Sequence, residues 1–575
     1  MKATLRKRSP QRFGLYLSVC IALWLPASAV AQSVYVPLNH WCYEFIERLE
    51  TQKAIGDVFN GTRPISREEM ATYISALIRE ADAGIKLSRV QRDQLEFLKV
   101  EFREELDSVL TNDRLPAKTR IAAYKKLKFI DKIFPDFLYR NNRNFLEWHN
   151  GGFNCYLDPL FLREADFATA DTIDGTERVY QNSNGLTFWG NLGTHLGFYF
   201  NTRDTRESGT RSYPRKYVIT REQLGFVNGY GTHIYHDETI SYFMLKLPYF
   251  NLQLGKDLNV WGPGYHGNLA LSDYATSYDQ IKFQAKLWRI KFTSLTGFLR
   301  AYPEIYEIGE RLERSLAAHR IEINLGRSLQ IGLHETVIYG GRKLEPAYFN
   351  PLMFYRSAEH YLGDHDNVAM GFDIDWIPLK NWKIYGELFL DDITTSKLGT
   401  GFYGNKFAYL AGSFTTDFLG IPNLDLRTEY ARIRPYVYSH KYPINTYQHF
   451  TTSLGHHSGP NSDDLYAEIR YRFSKAMVVT VSGEVQRWGE NTDSINYGRE
   501  MEIYRVKGDP EYIDTLSGIR NRRYIISSSM SYELFRECLL ELHFIFARLN
   551  RQHEDSEPNE KIGNTCLKLR LAINY

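Results

Sequence analysis

From about Phe145 onward the chain keeps returning to one pattern, apolar side chains at alternate positions with hydrogen-bonding side chains between them. Phe250, Leu252 and Leu254 alternate with Asn251 and Gln253, and Ile281, Phe283, Ala285 and Leu287 alternate with Lys282, Gln284 and Lys286. Met370, Phe372, Ile374 and Trp376 keep the same rhythm, as do Leu465 to Tyr471 and Leu540 to Phe546. The chain ends on it, with Leu567, Leu569, Leu571 and Ile573 leading to Tyr575. Successive strand side chains point to opposite faces, so these segments are strands with one apolar and one polar face. In a soluble sandwich the apolar faces meet each other. In a transmembrane barrel they meet lipid, and the polar faces line the interior.

The amino-terminus separates the two. Lys2, Arg6, Lys7, Arg8 and Arg12 precede or open an apolar stretch from Phe13 to Leu25, and Ala29-Val30-Ala31 supplies small residues before Gln32. That order is expected of a secretory signal peptide cleaved near Ala31. A lipoprotein signal ending at Cys20 would strand the apolar run Ile21 to Leu25 behind the modified cysteine. Beyond this leader no run of about 18 apolar residues occurs, which excludes a spanning helix and leaves a closed barrel as the way across a bilayer. Removing the leader's five bases takes the formal charge from +2 to −3, so nothing invites nucleic acid. The 40 tyrosines and 34 phenylalanines suit interfacial girdles and sugar-stacking surfaces alike.

The expected fold is mostly β: a large transmembrane antiparallel β-barrel over residues 141–575, preceded by a signal peptide (1–31) and a helical bundle (32–140). At roughly 24 residues per strand and connection the barrel should have about 16–18 strands. The bundle plugs the lumen or lies on its periplasmic side. Its helices are expected around Trp41 to Leu49, after the capping boxes Ser66 to Glu69 and Ser88 to Gln91, and near Thr119 to Ile133. The aromatic terminus Tyr575 resembles the sorting signal of bacterial outer-membrane barrels, which makes outer-membrane lipid and the barrel-assembly machinery expected partners. Cys42, Cys155, Cys538 and Cys566 are spaced too widely to suggest a metal site.

Chemistry concentrates in two blocks. In Trp261-Gly262-Pro263-Gly264-Tyr265-His266-Gly267, followed by Asp273, the glycines and the proline force an irregular backbone. Trp261, Tyr265, His266 and Asp273 are candidates for meeting a sugar ring; the same loop serves equally well as a structural turn. The second block holds His334, Tyr339, Arg342, Asn350, Glu359, Asp366, Asn367, Glu387 and Asp391. Catalysis would make Glu335 or Asp391 a base beside His334, and metal binding would use His334, Glu359 and His360. No diagnostic spacing accompanies either, and a lumen network of acids balancing Arg342 and lysines explains the block more simply.

These pieces, in order, resemble the capsule assembly Wzi family: Trp261 to Gly267 with Leu271-Ser272-Asp273, Tyr339-Gly340-Gly341-Arg342, Asn350-Pro351, Glu359-His360, Asp366-Asn367, Gly386-Glu387 with Asp391-Asp392, and Leu454-Gly455-His456 with Gly459-Pro460. The resemblance implies an outer-membrane barrel of about eighteen strands with a helical bundle. It implies a lectin that binds capsular or exopolysaccharide and supports its attachment at the surface of a Gram-negative cell, without catalysis or cofactor. A porin or substrate channel and an outer-membrane hydrolase using His334 and Asp391 are the competing classes. A single unit similar to an S-layer-homology repeat, His40-Trp41 followed by Ile46, Leu49 and Ile55 and then Pro64 to Ala71, hints that the bundle faces the periplasm.

Overall fold

The computed structural model describes residues 34–112, 143–170, 176–210, 224, 227–230, 233–301, 313–552 and 560–574. The leader, the helix expected near Thr119 to Ile133 and Tyr575 lie outside the described residues.

Among the described residues, 18 antiparallel strands close into one transmembrane barrel. They are β1 (Phe153–Ala170), β2 (Glu177–Leu192), β3 (Leu196–Gly209), β4 (His233–Lys246), β5 (Phe250–Asp257), β6 (Tyr278–Leu287), β7 (Ile290–Arg300), β8 (Glu313–Asn324) and β9 (Leu329–Gly340). The wall continues with β10 (Asn367–Leu379), β11 (Trp382–Asp392), β12 (Lys406–Thr415), β13 (Leu424–Ile433), β14 (Ser462–Arg472), β15 (Met477–Glu490), β16 (Ile519–Phe535), β17 (Cys538–Arg551) and β18 (Glu560–Ile573). Ile573 of β18 pairs with Phe161 of β1, so the last strand seals against the first.

Burial follows the alternation inside out. Leu254, Phe243, Leu465 and Ile526 are more than half exposed, whereas Gln253, Lys282, Lys291, Arg320, Glu322 and Lys383 are buried. Water would not leave an apolar belt outside and a polar core within; lipid requires that arrangement. Trp288 and Tyr249, among the most exposed aromatics, sit at the short turns after β6 and β4. Such turns mark one end of the barrel, and long segments such as 258–277, 341–366 and 434–461 mark the other.

Helices α1 (Cys42–Thr51), α2 (Arg67–Asp82), α3 (Arg89–Glu101) and α4 (Arg103–Asn112) share an apolar core of their own, with Phe45, Leu49, Ile74, Leu77, Phe97 and Leu98 in it. Ser88 and Gln91 form the full capping box on α3, each satisfying a backbone amide of the other. Ser66 caps α2 by accepting from the Glu69 amide, but Glu69 turns away to Lys286 and Lys291 of the wall. The helix expected after Ser88 ends at Phe102, whose backbone leaves helical geometry, and α4 resumes at Arg103.

This bundle is a plug at the short-turn end. Glu47 reaches Arg427 at 2.8 Å and Lys383 at 2.9 Å, Arg48 reaches Asp425 at 3.0 Å, and Glu101 pairs with Arg536. Asn381, in the turn between β10 and β11, donates its amide to the Thr51 carbonyl. The stretch Pro64 to Ala71 is packed in this plug, mostly buried.

Candidate functional site

The segment between β5 and β6 turns back into the lumen, and two buried carboxylates on the wall hold it there. Glu387 accepts the amides of Gly264 (3.0 Å) and Leu269 (2.7 Å), and Glu429 accepts those of Tyr265 (2.8 Å), His266 (3.0 Å) and Gly267 (3.3 Å). A carboxylate collecting several backbone donors fixes a loop with no secondary structure of its own. The glycines permit the approach: a Cβ on Gly262 would stand 2.2 Å from Glu387 Oε1, and one on Gly264 2.0 Å from the Gly267 carbonyl. At its start the loop meets the helical plug. Val260 and Trp261 pair with Arg63 and Thr62 as a two-stranded ribbon, and Gly262 donates to the Gly61 carbonyl at 2.8 Å. The lumen is thus crossed by two stoppers joined backbone to backbone.

The sequence candidates separate into three places. Trp261, His334, Glu387 and Asp391 are sealed within this lumen packing. Trp261 is fully buried, with His334 beside it at 6.4 Å between ring centres. Asp391 accepts the Tyr438 amide at 2.7 Å. Trp261 offers no surface to a sugar and the other three almost none, which corrects the expectation that they meet one. Tyr265 points toward the helical plug, where Arg470 donates to its hydroxyl at 2.7 Å.

Tyr339, Arg342, Asn350, Glu359 and Asp366 belong to a cap on the outside of the wall, whereas Asn367 lies on the lumen face, paired with Ile338. Outward residues Ala317, Val337, Tyr339 and Val368 are covered by the 341–366 segment through Tyr348, Tyr355 and Ala358. The segment contains two short helices, α5 (Pro346–Phe349) and α6 (Tyr355–Tyr361). Glu335, which projects from the same face of β9 as exposed Leu333, accepts the amides of Tyr355 (2.8 Å) and Arg356 (2.9 Å) at the start of α6. Arg342 clasps Asp366 with both guanidinium nitrogens, and Tyr348 donates to the same carboxylate at 2.7 Å. Asn367 donates to the Asn445 carbonyl at 2.9 Å, and Asn350 is exposed on the cap.

Only His266 and Asp273 reach open space together. They line a cavity of about 890 Å³ at the long-loop end, with Arg203, Glu238, Tyr274, His457, Glu484 and Arg523. Asp273 is exposed; His266 is partly covered and stacks on Tyr466 at 4.0 Å between ring centres, 9° from parallel. Burial pulls the His266 pKa down, but the adjacent Glu484 carboxylate and the charges of Asp464 and Glu429 outweigh that and leave it raised. Tyr274 stands beside Asp273 on the inward loop and was passed over; the other lining residues escaped the sequence reading because they come from β3, β4, β15, β16 and a distant loop with no common spacing.

The family model described as capsule assembly protein Wzi matches residues 232–556. Among solved structures the chain is similar to one from Escherichia coli described as Wzi, an outer membrane protein involved in group 1 capsule assembly and a carbohydrate-binding β-barrel. Identity is 13%, the match covers 94% of this chain and 99% of that one, and the TM-score is 0.53. Two Pseudomonas aeruginosa barrels, OccD3 (10% identity, 72% of this chain and 91% of that one, TM-score 0.41) and OprD (10%, 73% and 94%, TM-score 0.40), share less of its shape. A search of curated proteins found no match. The model match spans more than half of the sequence, and the chain belongs to the capsule assembly protein Wzi family.

Proposed function

We propose that this protein is an outer-membrane lectin that binds capsular or exopolysaccharide at the cell surface and supports its attachment there. One observation carries the reading: the cavity at the long-loop end opens above a lumen that both stoppers cross. A polymer can be held in such a vestibule, and both stoppers stand in the way of its passage. Tyr274 offers a ring face, while Arg203, Arg523, Asp273 and Glu238 offer charge and hydrogen bonds, the mixture that sugar recognition uses. The E. coli Wzi described as carbohydrate-binding supports the same reading. Hydrolysis is disfavoured, because His334 and Asp391 are sealed away from substrate.

The test is retention of bacterial surface polysaccharides by the purified full-length protein in detergent. A Tyr274→Ala, Arg523→Ala variant should bind about tenfold more weakly or worse, equivalent to about 1.4 kcal/mol. Equal retention by both proteins, or none by either, would refute the reading.

A further inference from the structure

Four donors from four separated places in the chain converge where the inward loop meets the wall. His266 comes from the inward loop, His457 from the 434–461 segment, Asp464 from β14 and Glu484 from β15. One ligating atom of each lies within 4.8 Å of all the others. His457 Nε2 stands 3.0 Å from Asp464 Oδ2, and His266 Nε2 stands 3.5 Å from Glu484 Oε2 and 3.8 Å from Asp464 Oδ2. Tetrahedral ligands on metal bonds of about 2.0–2.2 Å sit about 3.3–3.6 Å apart; these three spacings bracket that range, and the remaining pairs, all within 4.8 Å, need only a small inward shift of side chains.

We infer that His266, His457, Asp464 and Glu484 form a binding site for a divalent transition cation of the zinc class. Two imidazoles with two carboxylates suit such a metal better than calcium or magnesium, which favour all-oxygen shells. The group is also built around its donors. Asp464 is buried, and its Oδ2 accepts from the Ser458 hydroxyl at 2.9 Å. The His266 ring is fixed by Tyr466 and its backbone amide by Glu429. His266 Nε2 and Asp464 Oδ1 are buried atoms with no hydrogen-bond partner. A cation here would tie the inward loop and the 434–461 segment to the wall, with His266, His457 and Glu484 all bordering the cavity. The site stands on its own donors and does not depend on the glycan reading.

A second cluster, Glu359, His360 and Asp364 on the outer cap, provides the internal control, because Arg356 already pairs with Glu359 at 2.9 Å and opposes a cation. The experiment uses tag-free, full-length protein in detergent, stripped with chelator and titrated with zinc by calorimetry. The expected result is one zinc per chain, with visible absorption of tetrahedral type when cobalt replaces it. His457→Ala and the gentler Glu484→Gln should each weaken zinc by more than about tenfold, the loss that follows even when a ligand's outer partner is removed. His360→Ala should change nothing. Heat-modifiable migration on gels reports that each variant is a folded barrel, and Glu484→Gln decides the matter if His457→Ala fails to assemble. No stoichiometric zinc, or unchanged affinity in Glu484→Gln, would overturn the site.

Discussion

The two stoppers occupy one lumen and are secured by opposite means. The helical plug has an apolar core of its own and is attached mainly through side chains, Glu47 to Arg427 and Lys383, Arg48 to Asp425, and Glu69 to Lys286 and Lys291, with the Asn381 amide on the Thr51 carbonyl beside them. Its wall contacts therefore fix position more than shape. The inward loop has no such core, and its backbone amides are held by Glu387 and Glu429. There the wall supplies shape and position together, so wall substitutions should act far more severely on the loop than on the helices.

The largest effect should come from Glu387→Ala with Glu429→Ala. That pair strips the inward loop of its two cradles while leaving the plug's ion pairs in place. Planar-bilayer recordings should pass from silent with the parent protein to conducting with the variant; a variant as silent as the parent would mean that the helical plug alone closes the lumen. Next comes Glu47→Ala, which takes from buried Arg427 the carboxylate it clasps, while Lys383 keeps Asp375 at 2.6 Å, and should cost about 3–5 kcal/mol. It should loosen the plug toward proteases without conferring the same conductance, and protection equal to the parent's would show that the plug's own core carries it.

The smallest effect concerns the outer cap, which touches neither stopper. Burial, with Asp364 adding and Arg356 opposing, raises Glu359 from 4.5 to about 7. Its neutral form is the one the cap favours, so docking is strongest at low pH and weakens as pH rises through about 7. Hydrogen exchange in 341–366 should therefore be faster at pH 8 than at pH 5, beyond the intrinsic change, and Glu359→Gln should remove the difference.

Much of the wall was legible because alternation with period two is a local property. Leu540 to Phe546 and Leu567 to Leu571 read as lipid-facing strands, and they are. The capping box at Ser88 and Gln91 was local too, and it formed in full. The site was less legible, because alternation says nothing about what lies over a face. Glu335, sitting between Leu333 and Val337 on an apolar face, was the available signal that something covers the wall there, and the cap does. Trp261 read as a ligand platform because glycines surround it, yet those glycines serve close approach to Glu387, and the ring is core. His457, Asp464 and Glu484 had no signal to give, since their meeting depends on the pairing of β14 with β15 and on a loop folding over both.

The seam between β1 and β18 sets an order of events. The wall cannot close until the residues of β18, up to Ile573, have been delivered. Residues 34–112 are the first of the described chain to emerge and need no wall residue to build their apolar core. The barrel can therefore shut around an object that is already finished, and the charges on that object, Glu47, Arg48 and Glu69, provide a template against which the inner faces of β6, β7, β11 and β13 can find their places.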